Sequence, residues 1–269
     1  MTNPPPLLEI RDLRTWYPIR RGVLARTAGW VKAVDGVSLE IRGGETLGVV
    51  GESGCGKSTL ARSILRLERP RGGAIRLEGR DVLSLRGAAL RRYRREVQVV
   101  FQDPTASLNP RHTVLDLVTE AMLVHGLTDA RGRRAEAERL LHDVGMGAEA
   151  LDRYPHAFSG GQRQRICIAR ALALRPRLLI CDEAVSALDL SVRAQVLNLL
   201  EELRDRHGLA YLFITHDIGV VQHLADRIAV MHGGRIVETG PAEKVLAAPE
   251  QEYTKRLLAA VPRVGATRS

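Results

Sequence analysis

The apolar and polar positions of this chain fall into short apolar runs separated by stretches with helical spacing. Leu8-Glu9-Ile10 through Tyr17, and Ala33 through Ile41, mix β-forming residues with alternation, the period of half-buried strands. A basic loop is expected between them, from Arg20 to Gly29. Arg42-Gly43-Gly44-Glu45 reads as a turn into Thr46-Leu47-Gly48-Val49-Val50, a short apolar run suited to a buried parallel strand. Gly51 to Gly56 interrupts that run. Lys57 to Arg66 then resumes with helical spacing at Leu60, Ile64 and Leu65, and Gly72-Gly73 marks another turn. Three more buried strands are predicted at Val97 to Phe101, Leu178 to Cys181 and Tyr211 to Ile214. Between Val114 and Leu174 the pattern is helical instead, as at Leu140, Leu141 and Val144, which predicts an inserted helical subdomain. Tyr253 to Ala260 reads as a last helix, ended by Pro262. Internal repeats and heptad runs are absent, and alternating strands and helices predict an α/β fold with a mostly parallel, covered sheet.

Composition narrows the class. A length of 269 residues suits one large α/β unit with a subdomain, and 45% hydrophobic residues is too many for a disordered chain. No apolar run approaches the roughly 18 residues that a spanning helix needs. Met1-Thr2-Asn3-Pro4-Pro5-Pro6 has neither the basic start nor the apolar core of a signal peptide. Cys55, Cys167 and Cys181 stand far apart, which excludes a disulfide framework or a zinc knuckle and fits a reducing compartment. The expectation is therefore a cytoplasmic protein. The net charge of +9 fits either an anionic partner, nucleic acid or membrane, or an Arg-rich solvated surface. Of the 40 basic residues only Lys32, Lys57, Lys244 and Lys255 are lysines. A lysine set between Gly56 and Ser58 in such a chain points to a site that wants a slim point charge.

That lysine belongs to Gly51-Glu52-Ser53-Gly54-Cys55-Gly56-Lys57-Ser58, a complete G-x-x-x-x-G-K-[ST] match continued by Thr59, with a strand before it and a helix after. Glycines let the backbone curl so that successive N–H groups face phosphate oxygens at a helix N-terminus. Lys57 is expected to reach the β- and γ-phosphates and Ser58 to bind Mg²⁺. The same helix N-terminus is expected to favour the thiolate of Cys55. Leu178-Leu179-Ile180-Cys181-Asp182-Glu183 supplies the other half: a buried strand delivers Asp182 to the metal, and Glu183 is placed to activate water as general base.

With these residues the chain resembles the ATP-binding subunits of ABC transporters. The resemblance is carried by Ser159-Gly160-Gly161-Gln162, preceded by Phe158 where many members have leucine. It continues in Gln102 after its strand, Ser186-Ala187-Leu188-Asp189, and His216 after Phe213-Ile214-Thr215. Tyr17 falls where the family sets an aromatic ring against adenine, with Trp16 beside it. The resemblance implies a P-loop ATPase core with a mostly parallel sheet, an N-terminal antiparallel β portion and a helical subdomain at about 104–174. The ATP-binding domain would run over 1–262, followed by a short tail at 263–269. It also implies an ATP-sandwich dimer in which Ser159, Gly160, Gly161, Gln162 and Asp189 of one subunit cover the nucleotide of the other. Gln102 and His216 would sense or orient the γ-phosphate and water, with Gln102 also a Mg²⁺ ligand. Phe101-Gln102-Asp103-Pro104-Thr105-Ala106-Ser107-Leu108-Asn109-Pro110-Arg111 and Tyr253-Thr254-Lys255 look like the oligopeptide, dipeptide and nickel importer class. Ala184 stands where many relatives have proline, which leaves peptide or nickel cargo open. The implied partners are a second ATPase subunit, two transmembrane permeases and, indirectly, a substrate-binding protein, with this chain peripheral on the cytoplasmic face of the inner membrane. No nucleic acid is expected. The other readings are a non-transport ATPase of a phosphonate-lyase or DNA-associated complex.

Overall fold

A computed structural model describes residues 5–21 and 26–260. The N-terminal four residues, the centre of the expected basic loop, Pro262 and the expected tail at 263–269 lie outside the described residues. In chain order the first elements are β1 (Leu8–Arg21), β2 (Arg26–Ile41), β3 (Thr46–Val50) and α1 (Lys57–Ile64). Next come β4 (Gly72–Leu77), β5 (Arg80–Asp81), α2 (Gly87–Glu96), β6 (Val97–Val100), α3 (Pro104–Ser107), α4 (Val114–Val124) and α5 (Arg133–Asp143). The chain continues with α6 (Gly160–Leu172), β7 (Leu178–Asp182), α7 (Leu190–His207), β8 (Ala210–Thr215) and α8 (Ile218–Leu224). It closes with β9 (Arg227–His232), β10 (Arg235–Pro241), α9 (Ala242–Ala247) and α10 (Glu252–Ala259).

These elements fall into two compact units. One comprises the residues up to Ile41, Thr46–Leu83 and the residues from Phe213 onward; the other comprises Arg42–Glu45 and Ser84–Leu212. In the first unit β2, β1, β4 and β5 form an antiparallel sheet in that order. β3 runs parallel to β9, which pairs antiparallel with β10. Every residue of β3 is buried, as its apolar run requires. Gly48 lies against α8: a Cβ there would come within 2.2 Å of Val221 Cγ1 and 3.2 Å of Ala225 Cβ.

The second unit joins β6 and β7 in parallel register, Val97 opposite Leu178 and Val100 opposite Cys181. Its helices α4, α5 and α6 fall within the stretch read as helical, and β6, β7 and α7 belong to the same unit. α4 starts at a Thr113 cap, whose hydroxyl accepts the Asp116 N–H, and α6 at a reciprocal capping box between Ser159 and Gln162.

Three expectations change. β1 and β2 run on into the expected loop, so all but residues 22–25 of Arg20 to Gly29 is hairpin strand. Gly72-Gly73 opens β4 rather than making a turn. A Cβ on Gly73 would sit 2.4 Å from the Asp12 carbonyl oxygen, so this glycine serves the close approach of two strand backbones. The helix from Lys57 stops at Ile64, and Arg66 is left-handed. The buried strand β9 and its partner β10 carry no counterpart in the pattern read above.

Gly48→Ala is expected to lower stability by about 1–3 kcal/mol through overpacking against α8. Chemical denaturation at constant m-value checks this, and an unchanged midpoint would mean that α8 moves aside without cost.

Candidate nucleotide site

The phosphate loop starts where β3 ends, and the first unit grips it from three sides. A Cβ on Gly51 would lie 2.2 Å from the Met231 carbonyl oxygen, and one on Gly56 would lie 1.9 Å from that of Ala33. Only glycine fits between such neighbours. Gly54 and Gly56 also take the left-handed conformation, with φ of 81° and 112°. The Gly234 N–H donates to the Cys55 carbonyl at 3.0 Å, and the Gly234 carbonyl accepts the Asp35 N–H at 2.8 Å, so the turn between β9 and β10 ties the loop to β2. The Arg235 guanidinium, 2.7 Å from the Asp35 carboxylate, holds that carboxyl below its usual range.

Lys57 is buried. Its Nζ donates to the carbonyls of Gly51 at 2.7 Å and Glu52 at 2.9 Å, so the ammonium charge lies within the curl of the loop. Loop N–H groups, a helix N-terminus and this charge together make an anion cradle. Ser53 and Gly54 are exposed, Ser58 and Thr59 half-buried. Cys55 corrects the expectation of a thiolate: burial pushes its thiol up, outweighing the nearby Lys57 charge. Burial also pushes up the thiols of Cys167, to about 11, and of Cys181.

Trp16 and Tyr17 separate clearly. Lys32 Nζ lies 4.8 Å from the centre of the Trp16 ring, and Arg71 lies 5.7 Å from Trp16 and 3.8 Å from Trp30. Tyr17, opposite Val31, is half-buried, and among the described residues no cation or ring stacks on it. His216 follows β8 and is exposed in the same unit, one residue before Asp217, whose carboxylate caps α8 at the Gly219 N–H.

In the second unit Asp182 is the buried last residue of β7. Glu183 follows with φ of 52°, a left-handed turn unusual for a side chain with a Cβ. The Ser186 hydroxyl and N–H both donate to the Glu183 carbonyl, at 2.9 and 3.1 Å, and hold that turn. Such local strain is characteristic of functional positions. Gln102 is exposed just past β6. The segment after it is pinned to α6: Arg163 donates to Thr105 Oγ1 at 3.2 Å and Arg170 to the Ser107 carbonyl at 2.5 Å.

Ser159, Gly160 and Gln162 are exposed, whereas Gly161 is buried. The two glycines differ in kind. A Cβ on Gly161 would strike Val192 Cγ1 at 2.3 Å, while one on Gly160 would meet only Leu188 Cδ2, at 3.9 Å. Asp189 is exposed at the N-cap position of α7 without a side-chain bond to the helix, and Leu190 beside it is 80% exposed. Among the described residues no group of three or more His, Cys, Asp or Glu side chains is placed to hold a metal ion. Within the second unit Gln102 and Asp182 offer an amide and a carboxylate, oxygen donors of the kind a hard cation such as Mg²⁺ takes.

Two contributors escaped sequence reasoning as parts of the site. Gly233-Gly234 is a two-residue hairpin signal that was open to reading. Tyr253 was read only as a class likeness, yet its hydroxyl accepts the Glu52 N–H at 3.2 Å.

The chain belongs to the ABC transporter family, whose model matches residues 34–186. It is therefore an ATP-binding cassette ATPase. It is 49% identical to the oligopeptide transport ATP-binding protein AppF of Bacillus subtilis over 261 residues, which cover 97% of this chain and 79% of that protein. It is 51% identical to the glutathione import ATP-binding protein GsiA of Pectobacterium atrosepticum, over 96% of this chain but only 41% of that longer protein. The dimeric, post-hydrolysis ATP-binding cassette MJ0796, bound to ADP and Pi, superposes with a TM-score of 0.76 at 27% identity, covering 87% of this chain and 98% of that one. CbiO1 of Clostridium perfringens, part of the ABC transporter complex cbiONQ, gives the same TM-score and identity over 96% of each chain. Among the described residues no helix is long and apolar enough to cross a membrane.

A maleimide is expected to modify Cys55 slowly at neutral pH, faster as pH rises toward the raised thiol value, and more slowly with MgATP present. Peptide mapping across a pH series checks this. Full labelling of Cys55 at pH 7 at the rate of a small free thiol would show that Lys57 prevails over burial.

Proposed function

We propose that this chain is the ATP-hydrolysing subunit of an ABC importer whose cargo is a dipeptide or oligopeptide. The observation that carries the reading is the glycine-gripped loop with Lys57 bonded inside it, an anion cradle at a helix N-terminus. Similarity to an oligopeptide transport subunit and a glutathione import subunit supports the cargo class.

In this reading Gly51, Glu52, Ser53, Gly54, Cys55, Gly56, Lys57, Ser58 and Thr59 wrap the triphosphate, and Tyr17 stacks on adenine. The two cations already on Trp16 favour Tyr17 for that place. Ser58, Asp182 and Gln102 would hold Mg²⁺, which when bound neutralises charge on the phosphates. Glu183 accepts a proton from the attacking water, and His216 orients the γ-phosphate. Ser159, Gly160, Gly161, Gln162 and Asp189 serve the nucleotide of a partner ATPase subunit, identical or different. Closing and reopening of that pair drives two permeases at the cytoplasmic membrane face, loaded by a substrate-binding protein, with the segment after Gln102 as the coupling element. The room beside Gly160 supports the partner-facing role, since nothing in its own unit demands glycine there.

A strain lacking this chain is expected to lose uptake of labelled di- or oligopeptides and to regain it with the wild type but not with Glu183→Gln. Uptake indifferent to the deletion would overturn the cargo assignment. Purified Glu183→Gln is expected to bind ATP normally and hydrolyse it about 10²- to 10⁴-fold more slowly, the usual worth of a general base. Near-normal turnover would remove Glu183 from that role.

For a homodimer, Lys57→Ala and Gly160→Asp are each expected to silence both composite sites. Mixing the two variants leaves one site with an intact loop and an intact Ser159-Gly160-Gly161-Gln162 segment, so part of the ATPase activity returns. Crosslinked mixed dimers without activity would argue for a site contained in one chain or for obligatory coupling, and single-site ATP-binding measurements separate these.

A further inference from the structure

The C-terminal helix α10 reaches the first turn of the phosphate loop through one side chain. The Tyr253 hydroxyl accepts the N–H of Glu52, the second residue of the loop, at 3.2 Å. The Tyr253 ring packs on His232, with ring centres 4.0 Å apart, and belongs to a buried apolar cluster with Val50, Val221, Ile228 and Val230. Val50 is the last residue of β3, immediately before the loop. α10 is itself anchored: the Glu238 carboxylate accepts the N–H groups of Glu250 at 2.8 Å and Gln251 at 3.1 Å, just ahead of its first turn. Burial pushes the Tyr253 phenol above its ordinary value, so the hydroxyl remains neutral.

The Gly51–Glu52 peptide is thus held from both ends. Tyr253 takes its N–H, that of Glu52, and its carbonyl, that of Gly51, accepts Lys57 Nζ at 2.7 Å. Binding a triphosphate requires Lys57 to turn from this carbonyl to phosphate oxygens. When it does, the Gly51–Glu52 peptide loses its strongest donor, a charged one. The contact on the other side of the peptide then resists rotation of the loop.

We propose that Tyr253 is a positioning residue for ATP binding, which latches the Gly51–Glu52 peptide from α10 so that the phosphate loop keeps its shape when Lys57 releases it. The proposal rests on the nucleotide reading of that loop. It adds a contribution from a helix about 200 residues away in sequence, and it makes the docking of α10 a condition of tight nucleotide binding. Tyr253 touches loop backbone rather than reacting atoms, so its effect falls on affinity and leaves the hydrolytic step intact.

The test compares Tyr253→Phe, which keeps the ring on His232 and in the cluster, with Tyr253→Ala, which removes both ring and hydroxyl. Wild type, Lys57→Ala and the two variants are examined for MgATP affinity, KM and kcat for ATP, thermal midpoint and amide hydrogen exchange. Tyr253→Phe is expected to raise Kd and KM about three- to ten-fold, the equilibrium factor of one neutral hydrogen bond. Its kcat stays at the wild-type value, and its thermal midpoint without nucleotide falls by no more than the loss of one hydrogen bond accounts for. The Glu52 amide exchanges faster in that variant while Val49 and Val50 remain protected. Wild-type KM in Tyr253→Phe, or a fall in kcat matching the rise in KM, overturns the latch and leaves Tyr253 as packing alone. Wild-type protein that binds MgATP no better than Lys57→Ala would refute the nucleotide reading itself, a separate failure. Should Tyr253→Ala fail to fold, the phenylalanine variant and the Glu52 exchange rate still decide.

Discussion

Backbone pressed against backbone is the constraint on which the nucleotide half of this molecule depends. At Gly51 and Gly56 the loop main chain meets the carbonyls of Met231 and Ala33 so closely that a single Cβ would overlap an oxygen. A loop seated this way cannot shift without moving β2 and the β9–β10 turn, which are themselves joined through Gly234 and Asp35. Two stretches far apart in sequence are therefore held in one register around the phosphate loop. In the proposed function the stiffness serves recognition of a triphosphate, because a loop shaped in advance pays no ordering entropy when the anion arrives.

Two neighbouring glycines at the start of α6, Gly160 and Gly161, show how a demand of the fold can be separated from the demand that the proposed partner would make. Gly161 is closed off by Val192 within its own unit, so any side chain there disturbs the joint between α6 and α7. A Cβ on Gly160 would make only an ordinary contact with Leu188. A residue that need not be glycine for its own fold, next to exposed Ser159 and Gln162, supports the proposed approach of a partner there. The exposed Asp189 and Leu190 at the start of α7 have the same character.

Much of the frame was legible in the sequence because buried parallel strands announce themselves as unbroken apolar runs. β3, β6, β7 and β8 all stand at the predicted positions, within a residue or so at their ends. β9 was legible in the same way and not read: its apolar run, Ile228 to Met231, is as long as the one read at Leu178 to Cys181. The partly exposed β10 has no clean alternation to betray it. Gly72-Gly73 misled because a glycine pair signals a turn locally but here answers to the neighbouring strand. Cys55 misled for a related reason: the helix dipole is visible in sequence, whereas the burial that opposes it is not. Motif residues could be named from spacing alone. Their supports, the Gly233-Gly234 turn and Tyr253, act through contacts that only tertiary structure brings about.

The hairpin of β1 and β2 carries a consequence of another sort. Trp16 and Trp30 are the only tryptophans in the chain, and both lie on that hairpin with the Arg71 guanidinium close to their rings. Intrinsic indole emission from this protein is therefore a local optical signal, originating beside Tyr17 and blind to the rest of the fold. A cation stacked at 3.8 Å leaves the emission of Trp30 sensitive to small displacements of Arg71. Unlabelled protein thus carries its own fluorophores at the edge of the nucleotide-binding unit, where a spectroscopist would otherwise have to install one.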